Sequence, residues 1–252
     1  MDQALALAEA GLGRVWPNPS VGCVIVREGT VVGRGATQPG GRPHAEVVAL
    51  AEAAERAQGA TAYVSLEPCA HYGKTPPCAN ALIAAGVTGC VVALVDPDPR
   101  VDGKGLAKLR AAGVHVELGP GEQRARTINE GFFLRVRAGR PLVTVARAED
   151  EDAFMAHDAR LRSELDGSGI WAQVRGTGVA PVEWWVGGAV PFGSRPWRRF
   201  ECPPGPEGPE PAAVLGALGA HGLTRVVIAS DDPFATAARA AGLADRDYDG
   251  AA

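Results

Sequence analysis

The sequence lacks long apolar runs and has few cysteines. No stretch approaches the roughly 18 consecutive apolar residues of a membrane-spanning helix. The opening residues, MDQALALAEAGLGRV, carry an acid where a secretory signal carries basic residues. Five cysteines in 252 residues are too few for a disulfide framework. We therefore expect a cytoplasmic protein, outside the membrane, with reduced cysteines.

An excess of positive charge is also missing. The net charge is −4 at pH 7, whereas a protein that binds nucleic acid needs a basic face to neutralise phosphates. Residues 1–140 carry 15 Lys+Arg against 13 Asp+Glu, and residues 141–252 carry 10 against 16. The three lysines, Lys74, Lys104 and Lys108, all lie in the first part. We expect no nucleic-acid partner.

Apolar periodicity is clear in the first 140 residues. A helical ALALAEAGLG is followed by a hairpin, VGCVIV and TVVGRGA, that turns at Glu28-Gly29. Further helices are predicted at about 44–57, 78–86, 105–113 and 121–135, and strands at 60–66, 90–95 and 114–118. This alternation predicts an α/β domain over residues 1–140, with a largely parallel sheet covered by helices on both faces.

The pattern weakens after residue 140. GRPLVTVARAED begins like a strand, EDEDAFMAHDAR is acidic, and ECPPGPEGPEPAA is typical of a loop or linker. Only AAVLGALGAHG, LTRVVIAS and PFATAARAAGLAD restore a rhythm of helix, strand and helix. We expect a second, smaller α/β region over residues 141–252.

A metal-binding pattern lies in PHAE (43–46) and LEPCAHYGKTPPC (66–78). His44, Cys69 and Cys78 offer one nitrogen and two thiolates, a donor set that suits zinc, and a catalytic zinc has three protein ligands and one open position. Glu46 is placed to move protons beside it. The pattern matches the His-x-Glu and Pro-Cys-x-x-Cys signature of nucleobase deaminases, except that eight residues separate the cysteines here.

Structural interpretations compete with the catalytic one. A single helical histidine or a buried cysteine usually serves packing alone. A structural zinc would close its shell with a fourth ligand, for which His71 is the candidate. The joint arrangement of three ligands and a glutamate at strand-to-helix junctions favours a catalytic site.

Residues 17–78 resemble a known family through PNPSVGCVIV, PHAE and LEPCAHYGKTPPC. The likeness is to the bifunctional riboflavin-biosynthesis family of diaminohydroxyphosphoribosylaminopyrimidine deaminase/reductases, and it continues through VVALVDPDPRVDGKGLAKLRAAGV and NEGFF. It implies a three-layer α-β-α deaminase fold of the cytidine-deaminase type. It also implies zinc-dependent removal of the 2-amino group from a pyrimidinone that carries a ribose phosphate, a small-molecule substrate.

The resemblance also assigns roles to residues. Glu46 would be the general acid and base that serves the zinc-activated water. Substrate contacts are implied at Asn18, His71, Lys74 and Thr75. Thr37 stands where many relatives carry a histidine, so we do not expect a substrate contact at Thr37.

The second part departs from the family's NADPH-dependent reductase. Ala146 replaces an expected lysine, Ala153 replaces a glycine while Asp152 matches, and RGTGVA (175–180) only faintly matches the cofactor turn. Residues 229–231, Ala-Ser-Asp, fill the place of a Glu-Gly-Gly segment, where acids would repel a pyrophosphate. With no lysine past 108 and the chain stopping before the closing strands, we expect neither NADPH binding nor reduction, but a folded remnant or a homodimer surface.

Other functions stay open at this point. One alternative is a deaminase that acts on a free base or on RNA, and another is a non-catalytic module held by zinc. The second part also has a basic cluster, at Arg195, Arg198 and Arg199, that would favour weak nucleotide binding and retained reductase activity.

Overall fold

The chain forms two compact units. The computed structural model describes residues 1–73, 75–99, 101–147, 159–163, 170–174, 183–186, 197–200 and 210–248. The first unit comprises Met1–Gly11 and Pro19–Phe133, and the second comprises Leu12–Asn18 and Leu134–Ala252. The division falls within the long helix that ends at Ala138, close to the boundary predicted at residue 140.

The first unit is a five-stranded sheet with helices. Its strands are β1 Gly22–Arg27, β2 Thr30–Ala36, β3 Thr61–Val64, β4 Gly89–Val92 and β5 His115–Leu118. Its helices are α1 Asp2–Ala10, α2 Ala45–Ala53, α3 Cys78–Ala84, α4 Lys104–Ala111 and α5 Glu122–Ala138, with short 3-10 turns at Pro39–Gly41 and Ala54–Ala57. These elements confirm the predicted alternation.

The sheet of the first unit is mixed. Its strand order is β2-β1-β3-β4-β5. β3, β4 and β5 run parallel, whereas β1 is antiparallel to both β2 and β3. The predicted hairpin is confirmed, with Arg27 paired to Thr30 across Glu28-Gly29. The parallel part of the sheet therefore starts at β3, the strand that leads towards Cys69.

Helices cover both faces of this sheet. A Cβ on Gly22 of β1 would lie 1.9 Å from the Ala4 carbonyl oxygen of α1, and a Cβ on Gly35 of β2 would lie 2.1 Å from the Ala45 carbonyl oxygen of α2. Because Gly35 pairs with Cys23, the neighbour of Gly22, these two glycines point to opposite faces. α1 and α2 thus lie on opposite sides of the sheet, which confirms the three-layer α-β-α architecture.

Small residues bring α2 directly onto the sheet. The first turn of α2 contacts β2 at a glycine, where any side chain would push the helix away. The residues at the start of α2 are therefore held close to the sheet. Cys23 and Cys90 lie in strands and are fully buried. No helix in the described ranges is long and apolar enough to cross a membrane.

The second unit contains a seven-stranded sheet with the order β10-β9-β8-β7-β11-β6-β12. Its strands are β6 Leu142–Ala146, β7 Ala159–Ser163, β8 Ile170–Val174, β9 Glu183–Val186, β10 Trp197–Phe200, β11 Arg225–Ala229 and β12 Arg246–Asp247. Its helices within the described ranges are α6 Pro211–Ala220 and α7 Pro233–Ala240. The final helix, strand and helix were predicted, but β7 to β10 were not, so this sheet is larger than the sequence indicated.

The core of the second unit lies where its predicted elements meet. The buried side chains come from β6, β7, β11, α6 and α7, and Trp16 packs against them from the segment that precedes Asn18. The largest of these fully buried residues are Leu161, Leu215, Leu218, Leu223 and Ile228.

Candidate metal centre and active site

Three segments of the first unit converge at one point. His44 is the residue immediately before α2, Cys69 follows β3 in a loop, and Cys78 is the first residue of α3. The Cys78 backbone N–H donates to Cys69 Sγ at 3.2 Å, and the Ala79 N–H donates to the Cys69 carbonyl at 3.2 Å. The positive ends of α2 and α3 therefore meet at the thiolates.

The donor atoms have the spacing that one metal ion requires. His44 Nδ1 lies 3.3 Å from Cys78 Sγ and 3.7 Å from Cys69 Sγ, and all three donor atoms lie within 4.8 Å of one another. With Zn–S bonds of about 2.3 Å and Zn–N bonds of about 2.0 Å, the ligands of a tetrahedral zinc lie roughly 3.5 Å apart. The predicted set of His44, Cys69 and Cys78 therefore fits zinc.

No fourth protein ligand joins the cluster among the described residues. The group of donor side chains contains His44, Cys69 and Cys78 alone. His71, the candidate for a closed structural site, is exposed and outside this group. A three-ligand site leaves one position for water, which is the arrangement of catalytic zinc.

The thiols have unlike acidities in the metal-free protein. Hydrogen bonds from the Cys78 thiol, the His44 ring and the Cys78 backbone lower the pKa of Cys69 to about 4, although burial opposes the shift. The hydrogen bond between His44 and Cys69 raises the pKa of His44. The hydrogen bond between Cys78 and the Cys69 thiolate, together with burial, raises the pKa of Cys78. Cys69 and Cys78 together thus lose one proton readily and retain a second one. A bound cation would displace that second proton.

Glu46 lies in the first turn of α2, next to the cluster but outside the ligand group. Glu46 is 3% exposed, and the charges of Cys69 and His44 act on its carboxyl group. Burial, followed by the charge of Cys69, raises the pKa of Glu46 to about 7. A carboxyl group that titrates near neutral pH can both accept and donate a proton.

The loop beside the cluster presents polar groups to solvent. His71 and Thr75 are exposed, and Lys74 lies outside the described residues. Arg42, which was not predicted, donates from Nη1 to Thr75 Oγ1 at 2.7 Å and exerts an electrostatic effect on His44. Arg42 makes no ion pair within the described part of the chain. The feature of the sequence that could have indicated Arg42 is a positive charge two positions before His44.

Thr37 and Asn18 are two other positions that the sequence singled out. Thr37 is 5% exposed, and its hydroxyl accepts from the Val21 N–H at 3.1 Å. Asn18 belongs to the segment that groups with the second unit, where its backbone N–H donates to the Val15 carbonyl at 3.1 Å. Its role in substrate binding stays a prediction.

Comparison with known proteins places this geometry in a family. Residues 1–94 match the cytidine and deoxycytidylate deaminase zinc-binding region. Diaminohydroxyphosphoribosylamino-pyrimidine deaminase of Buchnera aphidicola (subspecies Acyrthosiphon pisum) is 45% identical over 141 residues, which are 56% of this chain and 96% of that protein. The chain belongs to the RibD deaminase family. Its zinc-binding fold and its His-Cys-Cys cluster agree with that membership.

The likeness to RibD proteins extends into the second unit. Riboflavin biosynthesis protein RibD of Aquifex aeolicus is 47% identical over 171 residues, which are 68% of this chain and 46% of that protein. The chain thus matches less than half the length of this curated RibD relative. The solved structure of Acinetobacter baumannii RibD has a TM-score of 0.75 and 33% identity, and covers 96% of this chain and 82% of that chain.

Proposed function

We propose that this protein deaminates 2,5-diamino-6-(5-phosphoribosylamino)pyrimidin-4(3H)-one by hydrolysis. Water replaces the 2-amino group, ammonia leaves, and 5-amino-6-(5-phosphoribosylamino)uracil remains, a step of riboflavin biosynthesis. The observation that carries the proposal is the convergence of His44, Cys69 and Cys78 beside a buried Glu46. The near-complete coverage of the B. aphidicola deaminase supports this substrate.

The chain's own residues divide the work of the reaction. His44, Cys69 and Cys78 would hold zinc, which when bound polarises a water molecule and makes it a nucleophile near neutral pH. Glu46 would take the two protons of the attacking water in turn, and would deliver the first to the ring nitrogen and the second to the departing amine. Its burial keeps the transferred proton away from bulk solvent, and its pKa of about 7 suits both directions of transfer.

Groups on the neighbouring loop would bind the ribose phosphate. Arg42 and Thr75 present a guanidinium and a hydroxyl side by side, a pair that suits a phosphate oxygen. His71 and Lys74 add donors on the same loop, and Asn18 is proposed as a further substrate contact.

We propose further that the second unit performs no reduction. The Asp232 carboxylate caps α7 by accepting from the Phe234 N–H at 2.8 Å, so an acid occupies the helix end that would otherwise attract a phosphate. The Ser230 N–H donates to the Ala146 carbonyl at 2.9 Å and has no capacity left for a cofactor. The residues at this helix end therefore do not fit the pyrophosphate of NADPH.

Metal analysis coupled to an ammonia assay tests the proposed deamination. The purified protein should contain about one zinc per chain, as a single three-ligand site requires, and should release ammonia from the phosphoribosyl diaminopyrimidinone but not from cytosine or RNA. Ammonia release from cytosine or RNA alone would support a deaminase of another substrate. Zinc without release from any of the three would support a binding module.

A further inference from the structure

A second buried carboxylate lies two residues before Cys69. Glu67 is 4% exposed, and its backbone N–H donates to the Leu94 carbonyl at 2.9 Å, which continues the pairing of β3 with β4. Its side chain is outside the metal cluster. Instead, Oε2 accepts from the N–H groups of Asp96 at 3.3 Å and Gly103 at 2.9 Å, and Oε1 accepts from those of Gly105 at 2.8 Å and Leu106 at 3.2 Å.

Helix α4 depends on Glu67 for its N-terminal cap. The residue before α4 is Gly103, which has no side chain to accept from the first turn, and the first turn contains Lys104 and no acid. The free N–H groups of a helix start need acceptors, and its dipole favours a negative charge there. Glu67 supplies both from a distant part of the chain.

The contact also fixes the backbone between Glu67 and Cys69. A Cβ on Gly105 would lie 2.0 Å from the Pro68 carbonyl oxygen, so α4 packs directly against the loop at this point. Pro68 itself restricts the backbone rotation that precedes Cys69. On its other side, Cys69 is held by the N–H groups of Cys78 and Ala79.

We propose that Glu67 is a positioning residue for the metal centre, which ties the Cys69 loop to the start of α4 and so sets the place of one sulfur ligand. All four hydrogen bonds go to backbone donors, so Glu67 takes no part in proton transfer. The proposal rests on the metal site of the proposed function, and it is independent of the substrate.

Replacing Glu67 by glutamine keeps the size of the side chain and puts an NH₂ group against two backbone donors. In the full-length protein, we expect Glu67→Gln to weaken zinc binding about 10- to 100-fold, as is typical when a supporting hydrogen bond around a metal site is lost. In the cobalt-substituted protein, the thiolate-to-cobalt absorption band should lose intensity because Cys69 is displaced. Zinc affinity is measured by competition with a chromogenic chelator.

Asp232→Asn provides the matched control, since it removes another buried carboxylate that caps a helix, in the second unit. It should lower the melting temperature without changing zinc affinity or the cobalt spectrum. If Glu67→Gln does the same, the proposal is overturned. If that variant does not fold, Gly105→Ala decides, because its Cβ would meet both the Pro68 carbonyl oxygen and Oε1 of Glu67 and so disturb the junction between α4 and the Cys69 loop. Weakened zinc binding supports the proposal and wild-type binding overturns it. Failure of the wild type to bind zinc would instead count against the proposed function.

Discussion

Replacing Glu46 by glutamine separates proton transfer from metal binding. Glutamine has the same shape but cannot exchange a proton, so turnover should fall by about 10²- to 10⁴-fold, the usual contribution of a general acid and base. Zinc content should not change, because Glu46 is outside the ligand group. The variant therefore tests the role of the carboxyl group without removing the metal.

The same substitution has a calculable effect on the metal-free protein. A pKa raised from 4.5 to about 7 means that ionising Glu46 in the fold costs on the order of 3 kcal/mol, at 1.36 kcal/mol for each pH unit. The folded protein holds this proton more tightly than the unfolded chain, so the wild type loses stability as pH rises from about 4.5 through 7. Glu46→Gln lacks this ionisation, so its unfolding free energy relative to the wild type should be higher at pH 8 than at pH 4.5.

Three measurements on the purified variant check this reasoning: ammonia release, zinc content, and urea unfolding of the chelator-treated protein at the two pH values. Glu52→Gln is the control, since Glu52 lies on the same helix but is exposed. Its carboxylate accepts a hydrogen bond from the Arg34 N–H at 2.9 Å. Glu52→Gln should keep wild-type turnover. Glu46→Gln with more than about a tenth of wild-type turnover would refute the acid–base role, for which the expected loss is far larger.

Three other predictions follow from the site and the second unit. In metal-free protein at pH 6, iodoacetamide should modify Cys69, whose pKa is about 4, and should spare Cys23 and Cys90, because burial raises the pKa values of those two thiols. Added zinc should protect Cys69 from the reagent. Equal labelling of all three cysteines would contradict the assignment. Arg42→Ala should raise KM for the phosphorylated substrate about 10-fold, as expected for a lost charge-assisted hydrogen bond, and leave KM for the dephosphorylated substrate unchanged; an equal rise for both would exclude a phosphate contact. Mixing the protein with NADPH and the deaminated product should give no NADPH oxidation, and steady oxidation would show a working reductase.

The metal ligands were predictable because each lies at the start of a helix or just beyond a strand. His44 immediately precedes α2 and Cys78 is the first residue of α3, and Pro77 marks the second helix start in the sequence. Apolar periodicity predicted every helix and strand of the first unit to within a few residues. Ligand type and spacing then indicated which junctions meet.

Other features depend on contacts that a linear pattern does not contain. Arg42 reaches Thr75 across 33 positions, and Glu67 reaches Leu106 across 39. Glu67 lies inside the LEPC segment and Arg42 directly precedes PHAE, but neither segment indicates these distant partners. The lack of an acid or side-chain cap at the start of α4 does indicate that a distant acceptor is needed. Strands β7 to β10 were missed because each has only four or five residues, a length at which apolar periodicity is a weak signal.

The acidities at the centre invert the usual order of thiol and carboxyl. An ordinary cysteine is a weaker acid than an ordinary glutamate by about four pH units, yet here the pKa of Cys69 is about 4 and that of Glu46 about 7. Hydrogen bonds and helix N-termini stabilise the charge on sulfur, whereas burial destabilises the charge on oxygen. At neutral pH, Cys69 is therefore a thiolate that can bind a cation, and Glu46 can exchange a proton. Neighbouring groups whose pKa values are shifted in opposite directions mark an acid–base assignment, which favours catalysis over a purely structural metal site.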